Sequence, residues 1–261
     1  MNKISVLGVL YDQKSSFLKG PALAPPLIRN YLHNGASNLY AENGMDIGNA
    51  SMIVDAGDFS TENYAEIEAK ALELISEESK LFTLGGDHSI SYPIIKAHHA
   101  VHSESFDILH IDAHSDLYDQ YEGDGFSHAC PFARVMEGKL AERLVQVGIR
   151  TLNQHQKEQA EKFGVEIIQM KEYELSAIPK FERPIYLSLD MDAIDPAFAP
   201  GVSHHEPGGF TSREVIQIIQ QIDVPIIGAD LVEYNPIRDI NGITGALAAK
   251  LMKEILSKML S

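Results

Sequence analysis

Acids and histidines recur in this chain at spacings that could hold metal ions. Asp112, His114 and Asp116 alternate with Ala113 and Ser115, and Asp190 and Asp192 flank Met191. Alternate side chains of an extended backbone point to one side, so each run would aim its ligand-type groups together and turn Met191 into packing. With His88, the set holds four carboxylates and two imidazoles. Negative groups crowd like this only where cations neutralise them. A carboxylate-rich site with some imidazole suits a hard or borderline ion such as Mn²⁺, whereas structural zinc favours thiolates and Cys130 is the only cysteine. Six side chains exceed what one ion with an open position accepts. They fit two ions bridged by shared carboxylates, roughly 3.5–4 Å apart. Each fragment alone is a common turn or capped strand end; it is their recurrence at three separate strand ends that points to a metal centre.

The elements that must position these groups read as an α/β chain. Short β-branched runs, each followed by a polar or Gly-rich corner and a helical pattern, predict a parallel sheet with helices on both faces. Eight strands are expected, at residues 4–10, 51–54, 80–84, 107–111, 143–147, 165–170, 185–189 and 225–229. Ser60 or Thr61 is placed to cap a helix with Tyr64, Ile67, Ala71, Leu74 and Ile75 on its apolar face. Thr211 and Glu214 form a capping-box pattern before Val215, Ile218, Ile219 and Ile222, and residues 243–260 read as a C-terminal helix. In open parallel sheets ligands bind beyond the carboxyl ends of the strands. Those ends carry GGDHS (85–89), DAHSD (112–116), GIR (148–150), DMD (190–192) and ADLVE (229–233).

Other groups invite weaker readings. His98 and His102 stand four apart beside Lys96 and His99 and read as a solvated helix face. Cys130, followed by Pro131 and Phe132, reads as a packing residue. His204 and His205 lie in a Pro- and Gly-rich loop, at a substrate rim or simply exposed. The 261 residues, 44% hydrophobic and 22% charged, suit one domain spanning 1–261 with a continuous core. A formal charge of -16 argues against nucleic acid and suits a cationic small molecule. No stretch approaches the roughly 20 apolar residues of a membrane-spanning helix. With no leader-like segment at the N-terminus, a cytoplasmic location is expected.

GGDHS, DAHSD, SLDMDAIDPAFAPG (188–201) and ADLVEYNP (229–236), in this order, resemble the ureohydrolase family, which includes arginases and agmatinases. The likeness covers nearly the whole chain. It is strongest to plant-type arginases, through SSFLKGPALAPPLIR (15–29), SHACPFARVMEG (127–138), LVQVGIR (144–150) and GVSHHEPGG (201–209). The resemblance implies a three-layer α/β/α fold with a central eight-stranded parallel sheet. It implies one Mn²⁺ on His88, Asp112, Asp116 and Asp190, and a second on Asp112, His114, Asp190 and Asp192. It also implies a water-derived nucleophile between the ions oriented by Asp116, a proton-shuttling His128, and Glu233 paired with the guanidinium of a small cationic substrate. Animal arginases recognise the remote end of the substrate near the positions of Tyr118, Asp124 and Asn153, and this chain departs from their pattern there. The expected reaction is hydrolysis of L-arginine to ornithine and urea by a homo-oligomer, trimeric or hexameric. Agmatine is the second choice of substrate. Two other readings are a metal-dependent amidohydrolase such as a polyamine deacetylase and a non-enzymatic metal-binding scaffold.

Overall fold

A computed structural model describes residues 3–76 and 79–261. Its strands are β1 (Lys3–Leu10), β2 (Ile53–Ser60), β3 (Ser79–Leu84), β4 (Asp107–Ile111), β5 (Arg143–Ile149), β6 (Glu166–Gln169), β7 (Ile185–Asp190) and β8 (Ile226–Val232). The helices are α1 (Ala24–His33), α2 (Ala65–Leu74), α3 (Ser91–Val101), α4 (Pro131–Glu137), α5 (Gln154–Phe163), α6 (Ser212–Gln221) and α7 (Ile243–Leu260). All eight strands join one parallel sheet in the order β2-β1-β3-β8-β7-β4-β5-β6. Residues of β4, β7 and β8 are buried on both faces, which is why they read as mostly apolar runs. One face packs Ile28 and Leu32 of α1, Ile218 and Ile219 of α6 and Leu251 and Ile255 of α7 into a core with Leu187 and Leu189. The other packs Ile67 of α2, Ile94 and Ile95 of α3 and Phe132 of α4 against Ile108 and Tyr186. These are the three expected layers.

The local signals explain most boundaries. Thr211 and Glu214 close a reciprocal capping box at the start of α6, and Ile218 and Ile219, both fully buried, contribute about 1.5–3 kcal/mol each through burial. α7 starts after Gly242, at φ 74. α2 begins later than the Ser60 or Thr61 cap predicts. Thr61 Oγ1 is engaged with Glu66 Oε2 at 2.7 Å, and Asn63 Oδ1 receives the Ala65 N–H instead. β2 runs past the expected 51–54 as an exposed edge strand, where Asp55 and Asp58 answer Arg29 across the surface. β8 continues three residues beyond 225–229 because Asp230 is accommodated inside the sheet by two hydroxyls. His98 is also corrected: it is fully buried, not solvated. Its ring stacks on His102 and meets the edge of Tyr186. Among the described residues, no helix is long and apolar enough to cross a membrane.

Candidate active site

Four strands adjacent in the sheet, β3, β8, β7 and β4, end at one rim. His88 follows β3, Glu233 follows β8, Asp190 and Asp192 close β7, and Asp112, His114 and Asp116 follow β4. The chain does not stay extended through these motifs. Asp112 Oδ1 accepts the His114 N–H at 2.6 Å, and Asp190 Oδ1 accepts the Asp192 N–H at 2.7 Å. Each carboxylate therefore folds its own motif into a turn through Oδ1 and turns Oδ2 toward other partners. Met191 is fully buried, as its place between the two acids requires. Asp116 and Glu233 have φ of 48 and 62, a left-handed backbone that costs side-chain-bearing residues stability and clusters at functional sites. Gly86 brings the β3 corner against Tyr11: a Cβ there would lie 1.7 Å from the Tyr11 carbonyl oxygen.

His88 Nδ1 lies 3.1 Å from Asp112 Oδ2, Asp116 Oδ2 and Asp190 Oδ2, yet makes no hydrogen bond with acceptable geometry. The other ring nitrogen shows why. Ser188 Oγ donates its only proton to Asp230 Oδ1 at 2.7 Å, while Tyr186 donates to Asp230 Oδ2 at 2.7 Å. At 3.0 Å from His88 Nε2, Ser188 is left to accept, so the His88 proton sits on Nε2. A bare Nδ1 lone pair then faces three carboxylate oxygens. Donors at about 2.1 Å from one octahedral ion lie roughly 3 Å apart, so the set fits a divalent cation and little else. A second group adjoins it. His114 Nδ1 lies 3.0 Å from Asp192 Oδ2 and 3.5 Å from Asp112 Oδ1, so Asp112 offers one oxygen to each group.

Electrostatics agree with this geometry. Burial, then the charges of Asp192 and Asp112, push Asp190 well above the usual carboxylate range. Burial also raises Asp192, to about 6, against the pull of His114. Cations between these groups would reverse both shifts. His110 lies within ligand distance of His88 and Asp112, but its hydrogen bonds make it a support. Gln146 Nε2 gives its two protons to Ser115 O at 2.6 Å and His110 Nδ1 at 3.0 Å, leaving His110 Nε2–H to donate to Asp112 Oδ2 at 2.8 Å. Burial lowers the His110 pKa, consistent with a neutral donor. Arg150, of the GIR run, clamps the β7 turn by donating to the carbonyls of Asp192 and Ala193, at 2.8 and 3.2 Å, and to that of Glu206.

Above this floor opens a cavity of about 180 Å³. Its walls include His114, Asp116, Asp190, Asp192, His128 and Glu233, and none of the residues lining it is Lys or Arg. Glu233 Oε1 accepts the His88 N–H at 2.9 Å and faces His128 Nδ1 at 3.2 Å. Its Oε2 meets no donor among the described residues. Burial alone would raise Glu233, but His128 and the His88 N–H outweigh it and hold its carboxyl down. Burial would likewise lower His128, but Glu233 outweighs it and lifts the imidazolium to about 9.

Of the three residues expected at the remote end of the substrate, only Tyr118 lines the cavity. Asp124 is drawn away to Lys14 Nζ at 2.6 Å. Asn153 caps α5 through Oδ1 and gives its amide to Tyr118 Oη at 2.5 Å. His204 lines the cavity, stacked on His128, whereas His205 is exposed and bonded to Pro200 O. Cys130 is buried and its thiol pushed up to about 12 by burial, the state of an inert packing residue. Sequence reasoning missed Ser16, Tyr121, Thr151, Gln156 and Glu206, which also line the cavity. No local pattern marks them.

Parallel strands that deliver carboxylates and imidazoles to one rim, with a His–Glu pair above them, define a metal-dependent hydrolase of three-layer α/β/α architecture. The chain matches the arginase family over residues 2–257 and belongs to it; it is a ureohydrolase. It is 42% identical to Arginase 1, mitochondrial, of Arabidopsis thaliana, covering 98% of this chain and 80% of that one. It is 32% identical to the N(1)-aminopropylagmatine ureohydrolase of Thermus thermophilus, covering 90% and 83%. The solved arginase from Medicago truncatula superimposes with a TM-score of 0.93 at 40% identity, covering 99% of this chain and 87% of that one. The expected cytoplasmic location is overturned here: plant arginases at 40–42% identity are named mitochondrial or chloroplastic/mitochondrial, which points to an organelle.

Proposed function

We propose that the protein hydrolyses L-arginine to ornithine and urea with two Mn²⁺ ions, acting as one catalytic domain over residues 1–261. The observation that carries this reading is the pair of donor groups sharing Asp112 beneath the Glu233–His128 pair. His88, Asp112, Asp116 and Asp190 would hold one ion, and Asp112, His114, Asp190 and Asp192 the other. When bound, the two ions would acidify a water and so supply the nucleophile near neutral pH. Glu233 Oε2, which meets no donor among the described residues, binds the planar guanidinium and sets its carbon over that water. Asp116 orients the water. His128 provides the proton that the departing amine requires.

The remote end of the substrate meets Tyr118, Tyr121, Thr151 and Gln156 at the cavity wall. These neutral donors can hold a carboxylate and an amine without a cationic residue, which favours arginine over agmatine, whose remote end has no carboxylate to engage them. Urea release from L-arginine, agmatine and 4-guanidinobutyrate by the Mn²⁺-loaded protein tests the reading. Arginine turnover at the highest kcat/KM is expected, and turnover of agmatine alone overturns it. Metal analysis should return two ions per chain; one ion would favour the amidohydrolase alternative. Exposed Ile237, Ile240 and Ile243, in the segment leading into α7, support assembly into a trimer or hexamer, which sedimentation measures directly.

A further inference from the structure

His128 is held at three points, and two of them belong to one loop. Its backbone N–H reaches Lys14 O at 3.3 Å, its Nδ1 faces Glu233, and its Nε2 lies 2.8 Å from Ser16 Oγ. The loop carrying Lys14 and Ser16 is stapled from within and from without. Asp12 Oδ2 closes it by accepting the Gly20 N–H at 2.7 Å and the Ala22 N–H at 3.3 Å. Asp87 Oδ2 accepts the Lys14 N–H at 2.9 Å and the Ser15 hydroxyl at 3.2 Å, and Lys14 Nζ is paired with Asp124. The Phe17 ring lies against His204, which itself stacks on His128. A hydroxyl fixed by this many contacts, at the cavity wall and on the open nitrogen of the imidazole, is more than loop filling.

The direction of proton flow follows from the hydrogens available. Glu233 Oε1 is an acceptor that already takes the His88 N–H, so His128 Nδ1 is the donor in that pair. Its Nε2 is therefore the nitrogen whose protonation changes, and its hydrogen-bond partner Ser16, like His128 itself, lines the cavity. We propose that Ser16 is a proton-relay residue, passing the His128 proton to the departing amine. The inference rests on the function proposed above, with His128 as the source of that proton.

In the relay, the C–N bond breaks with its electron pair going to the amine nitrogen. That nitrogen takes the Ser16 hydroxyl proton as Ser16 Oγ takes the proton from His128 Nε2. The added hydroxyl loses its proton to solvent as the urea carbonyl forms, and the amine leaves as the neutral base. Nδ1–H stays on Glu233 throughout, and Nε2 is recharged from solvent. The Ser16 hydroxyl both gives and receives one proton and is unchanged at the end.

Ser16→Ala and Ser16→Thr test this in the metal-loaded protein. Ser16→Ala should lower kcat by about ten- to a hundredfold, a part of what general acid catalysis supplies, with KM within twofold and metal content unchanged. Ser16→Thr, which keeps the hydroxyl, should restore kcat to within about threefold. The dependence of kcat on the deuterium fraction of the solvent should be curved for the parent protein and linear for Ser16→Ala, because one of two moving protons is gone. In metal-free protein, the His128 Nε2 resonance should move in Ser16→Ala while Nδ1 stays in place. An active parent with Ser16→Ala at full kcat overturns the relay, as does a Ser16→Thr variant as impaired as Ser16→Ala. A parent that releases no urea from any guanidino substrate sinks the function itself, so the two failures are separate.

Discussion

Asp230→Asn probes the orientation of His88 from two residues away. In the parent protein, Asp230 accepts from both Tyr186 and Ser188, which forces Ser188 to accept from His88 Nε2–H and leaves Nδ1 bare. An asparagine presents one NH₂ group in place of an oxygen. If that group faces Ser188, it donates to Ser188 Oγ, and the serine proton turns toward His88 Nε2. The imidazole then carries its hydrogen on Nδ1, where a metal would sit. If it faces Tyr186 instead, a buried hydroxyl loses its acceptor. Support of this kind is worth about 10–100-fold in metal affinity, or roughly 1.4–2.7 kcal/mol. Mn²⁺ titration followed calorimetrically should therefore show one of two sites weakened by that factor, with the circular dichroism spectrum unchanged. Ser188→Ala should weaken the same site less, because it removes the partner without imposing the wrong tautomer. Parent-like affinity at both sites in a folded Asp230→Asn protein would refute the tautomer argument.

Other outcomes follow from the same geometry. Glu233→Gln should keep both metals, since its carboxylate is not among the proposed ligands, but lose about two or more orders of magnitude in kcat/KM through loss of a charge-assisted pair. Equal loss of metal would place Glu233 among the ligands. Chelation should abolish urea release and lower the thermal midpoint. At a metal concentration of 1,000 Kd each bound ion contributes about 4 kcal/mol, or roughly 8–16 °C per ion for a chain near this size, read by differential scanning fluorimetry. Acid should destabilise the fold through His98, whose pKa burial lowers from 6.5 to about 3. Between those values the unfolded chain binds the extra proton, so stability falls as pH drops below 6.5, by about 2–3 kcal/mol at pH 4.5. His98→Gln should flatten that part of the urea-denaturation profile, and an unchanged slope would remove His98 as its source.

The strands were legible because burial on both faces leaves long β-branched runs, and the cluster of acids and histidines because such residue types are rarely grouped without a cation. What escaped reading has a physical origin in each case. β2 lies at the edge, where Asp55 and Asp58 interrupt the apolar signal. Asp230 looks like a strand terminator until Tyr186 and Ser188 are seen beside it. His98 shares a helical turn with Lys96, and only the approach of Tyr186 shows that its side faces inward. Alternation in DAHSD and DMD correctly grouped the acids, but the convergence comes from carboxylate-capped turns. Asp124 and Asn153 were placed by analogy with a different loop, and here Lys14 and the start of α5 claim them. Ser16 and Gln146 act on partners 112 and 36 residues away, a distance over which no local pattern carries information.

The left-handed backbone at Asp116 and Glu233 bears on how this protein responds to selection. Both positions favour glycine on conformational grounds by about 1 kcal/mol or more, yet both side chains face the cavity. A screen for heat resistance run on metal-free protein would reward glycine at Asp116, where relief of strain and of acidic crowding act together, and would return sturdy variants that have lost turnover. Laboratory evolution of this scaffold therefore has to score urea release in every round, because at this position stability and chemistry pull the sequence in opposite directions.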